Sequence, residues 1–158
     1  MAMPRLTTRK VASAGRSVRP LPTSWERDGL RRPEQMHVHK SNSTRILIVD
    51  DEPIIALSLE EVLVDAGFNV AAVVYKIEKA LAVIEGGGCD AAIIDVNLAG
   101  VNSSPIASAL TLRGLPFIVL SGYSSEQLLS EFPGAIFLQK PCRPTRLIEA
   151  VRSMVREK

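Results

Sequence analysis

The sequence predicts an α/β domain: a doubly wound, five-stranded parallel sheet flanked by five helices. Three observations carry that prediction. From Arg45 onward, apolar strand-like runs and helix-like periodic segments alternate five times. The strand-like runs are continuously apolar, as strands buried on both faces are. Successive strands begin 18–27 residues apart, the length of one strand–helix unit in a parallel sheet.

The elements follow in order. Strand 1 covers Arg45–Asp50, with Ile46 to Val49 apolar. Ile55, Leu59, Val62, Leu63 and Ala66 then recur at helical spacing, and Gly67 closes that helix. Strand 2 is Asn69–Val74. Ile77, Ala80, Leu81 and Ile84 mark helix 2, which stops in Gly86-Gly87-Gly88. Strand 3 is Asp90–Asp95. A polar loop, Asn97 to Ser104, leads to a third helix starting near Pro105. Strand 4 is Phe117–Leu120. Leu128, Leu129 and Phe132 mark a short fourth helix ended by Pro133-Gly134. Strand 5 is Ala135–Gln139, and Leu147, Ile148, Val151, Met154 and Val155 form the core face of helix 5. Right-handed crossovers wind such a sheet in both directions, and ligands bind outside the carboxyl ends of its strands.

Composition bounds the class. With 158 residues, 46% apolar and 23% charged, the chain has the balance of one ordinary globular domain. Aromatics are 4%, so the core is aliphatic. No apolar run approaches the ~18 residues of a membrane span. Cys89 and Cys142 have neither metal-ligand nor redox spacing, which suits a reducing cytoplasm.

Charge divides the chain. Residues 1–43 hold nine Lys/Arg against three Asp/Glu, while the remainder holds ten against fourteen. The first part is rich in Pro, Ser and Arg and lacks apolar periodicity. It reads as a disordered basic extension, with residues 44–158 as the folded domain. Met36 lies nine residues before strand 1 and is a candidate for the true translation start.

The chemistry gathers at the strand ends. Asp50 and Asp51 end strand 1, Asp95 ends strand 3, Ser121 ends strand 4 and Lys140 ends strand 5. Singly, each has an ordinary explanation: a helix cap or turn for an aspartate, a turn for the serine, a solvated rim for the lysine. Jointly they need another. Three clustered carboxylates repel one another, and a hard divalent cation such as Mg²⁺ relieves that repulsion. The lysine and hydroxyl suit a phosphoryl group, and a carboxylate is a competent nucleophile toward phosphorus. Asn97 reads equally as a turn residue or as a backbone-carbonyl ligand. The chain has no phosphate-cradling GxxxxGK[ST] loop, no HExxH and no GxSxG.

Four segments carry a family resemblance: Ile46-Leu-Ile-Val-Asp50-Asp51-Glu52-Pro53, Ala92-Ile-Ile-Asp95-Val-Asn97-Leu, Val119-Leu-Ser121-Gly and Gln139-Lys140-Pro141. In order and spacing they resemble the receiver domain of two-component response regulators. The resemblance implies a flavodoxin-like strand order 2-1-3-4-5. It implies Asp95 as the residue phosphorylated by a histidine kinase or histidine phosphotransfer protein. Asp50, Asp51, Asp95 and the Asn97 carbonyl match the Mg²⁺ site, Ser121 the switch hydroxyl and Lys140 the phosphoryl-contacting lysine. The Lys140–Pro141 bond matches a cis peptide. Phe117 through Ser121-Gly122-Tyr123 resembles the FAT GUY subgroup, frequent as stand-alone receivers. Phe137 stands where the family often has a switch tyrosine, so the usual hydroxyl coupling is missing there, and Tyr123 is a candidate to take part instead.

The resemblance further implies a cytoplasmic signalling protein rather than an enzyme, with slow self-dephosphorylation. Output would pass to a partner through the helix 4–strand 5–helix 5 face, without a DNA-binding domain or membrane contact, and with room for a homodimer. Two other readings remain in view. A degenerate receiver would serve as an interaction scaffold. A phosphatase of the haloacid dehalogenase kind also uses an aspartate nucleophile, but needs a second acid where Asn97 stands.

Overall fold

The computed structural model describes residues 42–156. The expectations for the basic extension and for Met36 lie outside the described residues. Five parallel strands form the sheet: β1 (Asn42–Val49), β2 (Phe68–Val74), β3 (Ala91–Asp95), β4 (Phe117–Ser121) and β5 (Ile136–Gln139). Their spatial order is β2-β1-β3-β4-β5, as the resemblance implied. β1 starts three residues ahead of its expected start, because Asn42 already pairs with Phe68 across a register shift.

Among the described residues four α-helices cover the sheet: α1 (Pro53–Asp65), α2 (Ile77–Glu85), α3 (Ser104–Leu112) and α4 (Pro144–Arg156), the last being the expected fifth helix. Alternate strand residues point to opposite faces, so the core divides in two. Ile46, Ile48, Ile93, Ile118 and Leu120 pack under α1 and α4 with Ala56, Leu63, Leu147, Val151 and Met154. Leu47, Val49, Ile94 and Val119 pack under α2 and α3 with Ala80, Ile84, Ile106 and Leu110. At the amino ends of the strands, Arg45 grips Asp90 through its amide at 2.9 Å and its guanidinium at 3.0 and 3.1 Å. That clamp fixes β1 against β3 at the end opposite the acids.

The expected fourth helix does not form. Residues Ser125–Gln127 make one 3₁₀ turn. Leu129 and Phe132 then donate to Ser125 and Leu128 carbonyls at 3.1 and 3.0 Å, two separate turns meeting at Leu128. The segment is too short to offset helix nucleation, three serines compete for its backbone, and Pro133 disfavours a helical residue before it. Phe132 is fully buried and anchors the turn, whereas Leu129, which with it marked the expected helix, is exposed.

A second departure lies in the loop after Asp95. Asn97–Leu98 pairs antiparallel with Val101–Asn102 around Ala99-Gly100. Both turn residues have positive φ, 52° at Ala99 and 85° at Gly100, as a type I′ turn demands. Alanine in this region carries a steric cost of about 1–2 kcal/mol.

Candidate functional site

The parallel register brings the polar residues together. Asp50 and Asp51 follow β1 directly, Asp95 ends β3, Ser121 ends β4 and Lys140 follows β5. Pairings such as Val49 with Ile94, Asp95 with Leu120 and Ser121 with Gln139 bring these ends level with one another. The Lys140 amide donates to the Ser121 carbonyl at 2.8 Å, carrying the ladder one residue beyond the strand. The Lys140–Pro141 peptide is cis.

Asp50, Asp51 and Asp95 each offer a carboxylate oxygen within 4.8 Å of the others. Lys140 Nζ lies 3.3 Å from Asp50 Oδ2 and 3.3 Å from Asp95 Oδ2, bridging two of the three acids. Asp50 is fully buried, and its other oxygen accepts the Glu52 amide at 2.9 Å as α1 begins. Burial pushes the Asp95 carboxyl above its ordinary pKa; Lys140 pulls it back, but the Asp50 charge adds to the rise. Burial opposes the Lys140 ammonium, yet the attraction of Asp95 and Asp50 prevails and its pKa is raised. The site is thus acid-rich, with one lysine as its internal counter-charge.

The donor set fits Mg²⁺: all ligands are hard oxygens, and octahedral bonds hold such oxygens about 3–4 Å apart, a small closure from the arrangement present. Asn97 stands two residues beyond Asp95, and its side-chain oxygen accepts the Gly100 amide at 2.7 Å, bracing the turn. Ser121 Oγ accepts the Tyr123 amide at 2.9 Å, which leaves the hydroxyl hydrogen free to donate. The Tyr123 side chain is 63% exposed. Phe137 is half-buried, paired with Val119 and packed against the core under α2 and α3, away from the acids.

Two contacts had no signal strong enough to read from sequence. The Ala99 amide donates to Asp51 Oδ2 at 2.9 Å, tying the hairpin to the acid cluster across 48 residues. The fully buried Ser103 donates its hydroxyl to the Asp95 backbone carbonyl, fixing the start of α3 against the end of β3. An Ala-Gly pair between Leu98 and Val101 hints at the turn, but not at what its amide faces.

An acid cluster that could hold a metal ion and a lysine bridging two of its members thus lie at the carboxyl edge of an open parallel sheet. Residues 46–152 match the response regulator receiver domain model, and the chain belongs to that family of two-component signalling domains. Over 116 residues it is 31% identical to the DNA-binding response regulator MtrA of Mycolicibacterium smegmatis, covering 71% of this chain and 50% of that protein. The chain therefore spans about half the length of that curated relative. Among solved structures it is similar to SdrG from Sphingomonas melonis Fr1, at 40% identity over 73% of this chain and 98% of that one, with a TM-score of 0.63. A response regulator receiver protein from Sinorhizobium medicae is 29% identical over 72% and 94% of the two chains, with a TM-score of 0.66. Among the described residues no helix is long and apolar enough to cross a membrane.

Proposed function

We propose that this chain is a phosphoacceptor switch of the cytoplasm. In this reading Asp95 takes a phosphoryl group from a histidine kinase or histidine phosphotransfer protein, and the phosphorylated form is read by a partner protein. The observation that carries the reading is Lys140 bridging Asp50 and Asp95, beside Asp51, at the carboxyl ends of the strands.

The chemistry is an in-line displacement. An Asp95 carboxylate oxygen attacks phosphorus, the O–P bond forms as the N–P bond of phosphohistidine breaks, and the imidazole leaves and takes its proton from solvent. Mg²⁺ held by Asp50, Asp51, Asp95 and the Asn97 carbonyl would neutralise charge on the transferring oxygens. Lys140 shifts from pairing two carboxylates to pairing the phosphoryl group, so its charge is in place before transfer. The Ser121 hydroxyl, its lone pair engaged by the Tyr123 amide, donates to a phosphoryl oxygen.

Output passes through the face made by the Ser125–Gln127 turn, β5 and α4. With Phe137 on β5 lacking a hydroxyl, Tyr123 is the aromatic group that tunes the phosphoryl lifetime or reports the state of Ser121. A Tyr123→Phe variant with unchanged phosphorylation, dephosphorylation and partner binding would remove Tyr123 from this role.

The deciding experiment is intact mass after incubation with Mg²⁺ and acetyl phosphate, beside Asp95→Asn. A phosphoryl adduct on the wild type that is absent from the variant supports the switch. Absence of an adduct, with no beryllofluoride binding, sinks it and favours a scaffold role.

A further inference from the structure

The hairpin that follows Asp95 is bonded into the acid cluster. Asn97 pairs with Asn102 and Leu98 with Val101, so Ala99 and Gly100 are its two loop residues. Cross-strand pairing in a two-residue loop leaves the amides of both loop residues without a partner. Here each finds a side-chain oxygen of the site. The Gly100 amide donates to Asn97 Oδ1 at 2.7 Å, and the Ala99 amide donates to Asp51 Oδ2 at 2.9 Å.

The second bond matters because of what Asp51 lacks. Lys140 pairs with Asp50 and Asp95, and among the described residues Asp51 has no ion pair and no hydrogen bond besides the one from Ala99. The Ala99 amide is therefore the one polar group that fixes the rotation of this carboxylate. The hairpin that aims the amide has a firm footing. Ser103 donates its amide to the Val96 carbonyl at 2.8 Å and its hydroxyl to the Asp95 carbonyl. Asn102 accepts the Ser104 amide at 2.7 Å and donates to Glu131 Oε2 at 2.5 Å. Ala99 itself has a φ of 52°, a conformation that a residue with a Cβ keeps only where its surroundings over-determine it.

We propose that the Ala99 amide is a positioning group for a divalent cation, holding the Asp51 carboxylate in its ligating rotation before the cation arrives. The proposal rests on the reading of Asp50, Asp51 and Asp95 as a Mg²⁺ site. That reading also assigns the Asn97 carbonyl to the cation, and Asn97 begins the same hairpin. One braced turn thus sets two ligands relative to each other. The rotational freedom of Asp51 is lost on folding and not on cation binding, which tightens binding without any added ligand. Ala99 touches neither cation nor phosphoryl group in this role; it acts through Asp51.

The test removes the N–H and nothing else of the side chain. Nonsense suppression in the full chain replaces Ala99 by L-lactic acid, which turns its amide into an ester. A second protein carries glycolic acid in place of Gly100, deleting the other loop N–H, which is bonded to Asn97 and not to Asp51. Mg²⁺ affinity is read by titration calorimetry, and melting curves in EDTA confirm that both esters, each lacking one hydrogen bond of an exposed loop, stay folded. The Ala99 ester should bind Mg²⁺ about 10–100-fold more weakly than wild type, the loss typical when a group that orients a ligand is removed. The Gly100 ester should lose less, and Ala99→Gly, which keeps the N–H, should stay within about threefold of wild type. An Ala99 ester within about threefold of wild type overturns the proposal and leaves the cation site standing. Equal losses from the two esters also overturn it, since a general loosening of the turn would act that way. A wild type that binds no Mg²⁺ overturns the cation reading itself, and the proposal with it.

Discussion

Lys140→Met tests the electrostatic logic of the site most directly. The ammonium lies 3.3 Å from carboxylate oxygens of both Asp50 and Asp95. At an effective dielectric near 20, each pairing has a gross attraction of about 5 kcal/mol, most of it offset by desolvation of the partners. Removing one member of a buried pair costs about 3–5 kcal/mol, and the lysine's partial exposure places this loss near the lower end, about 3 kcal/mol. For a domain of this size that corresponds to a drop of about 10 °C in Tm. The assay is thermal unfolding in EDTA and again with Mg²⁺. A divalent cation bound to the native state should stabilise the variant more than the wild type, because the variant's acids have lost their internal counter-charge. Adding Asp95→Asn to Lys140→Met should recover at least about 1 kcal/mol, since one of the repelling acids is gone. A variant melting within about 2 °C of wild type in EDTA, or equal Mg²⁺ effects on both, would refute the view that Lys140 neutralises the cluster.

Further expectations concern pH, strain and packing. The raised pKa of Asp95 means the folded state holds its proton more tightly than the unfolded chain, so stability is lost as pH rises above the ordinary 3.8 through the raised value. Asp95→Asn removes that loss; denaturant midpoints in EDTA should favour the variant increasingly from about pH 4 to neutrality, and parallel curves would contradict it. Ala99→Gly relieves about 1–2 kcal/mol of backbone strain and adds about 0.5–1 kcal/mol of unfolded-state entropy, so it should stabilise by up to about 1 kcal/mol in chemical denaturation. A destabilised Ala99→Gly would show that Ala99 is unstrained. Phe132→Ala empties the anchor of the fourth crossover and should cost about 3–5 kcal/mol. Native-state hydrogen exchange should then show the Leu128–Phe132 amides opening first, and uniform protection would argue against Phe132 as the anchor.

Much of the site is legible in the amino-acid sequence. Apolar runs such as Ile46–Val49 and Phe117–Leu120 mark buried strands by a local pattern, and the polar residue that stops each run must emerge at the sheet's edge. The alternation of strands and helices then forces those edges to one end. Asp50, Asp95 and Ser121 stop their runs in this way, and Asp51 and Lys140 stand one residue further along. The segment ahead of Pro133 departs from the helix the sequence predicts, because Leu128, Leu129 and Phe132 satisfy a helical period that it is too short to propagate.

What the sequence determined by itself, then, was the kind of sheet and the set of groups at its carboxyl edge, because those depend on periodicities of two and 3.6 residues written into the chain. Tertiary structure alone decided which of those groups touch. The Lys140 bridge spans 90 residues to Asp50, and the Ala99 amide reaches Asp51 across 48. It also decided that Ile54, Leu57 and Val64 stay in solvent while their helix neighbours Ala56 and Leu63 are fully buried. Such pairings are set by where whole elements pack, and no local pattern in the chain encodes the neighbour that packing will deliver.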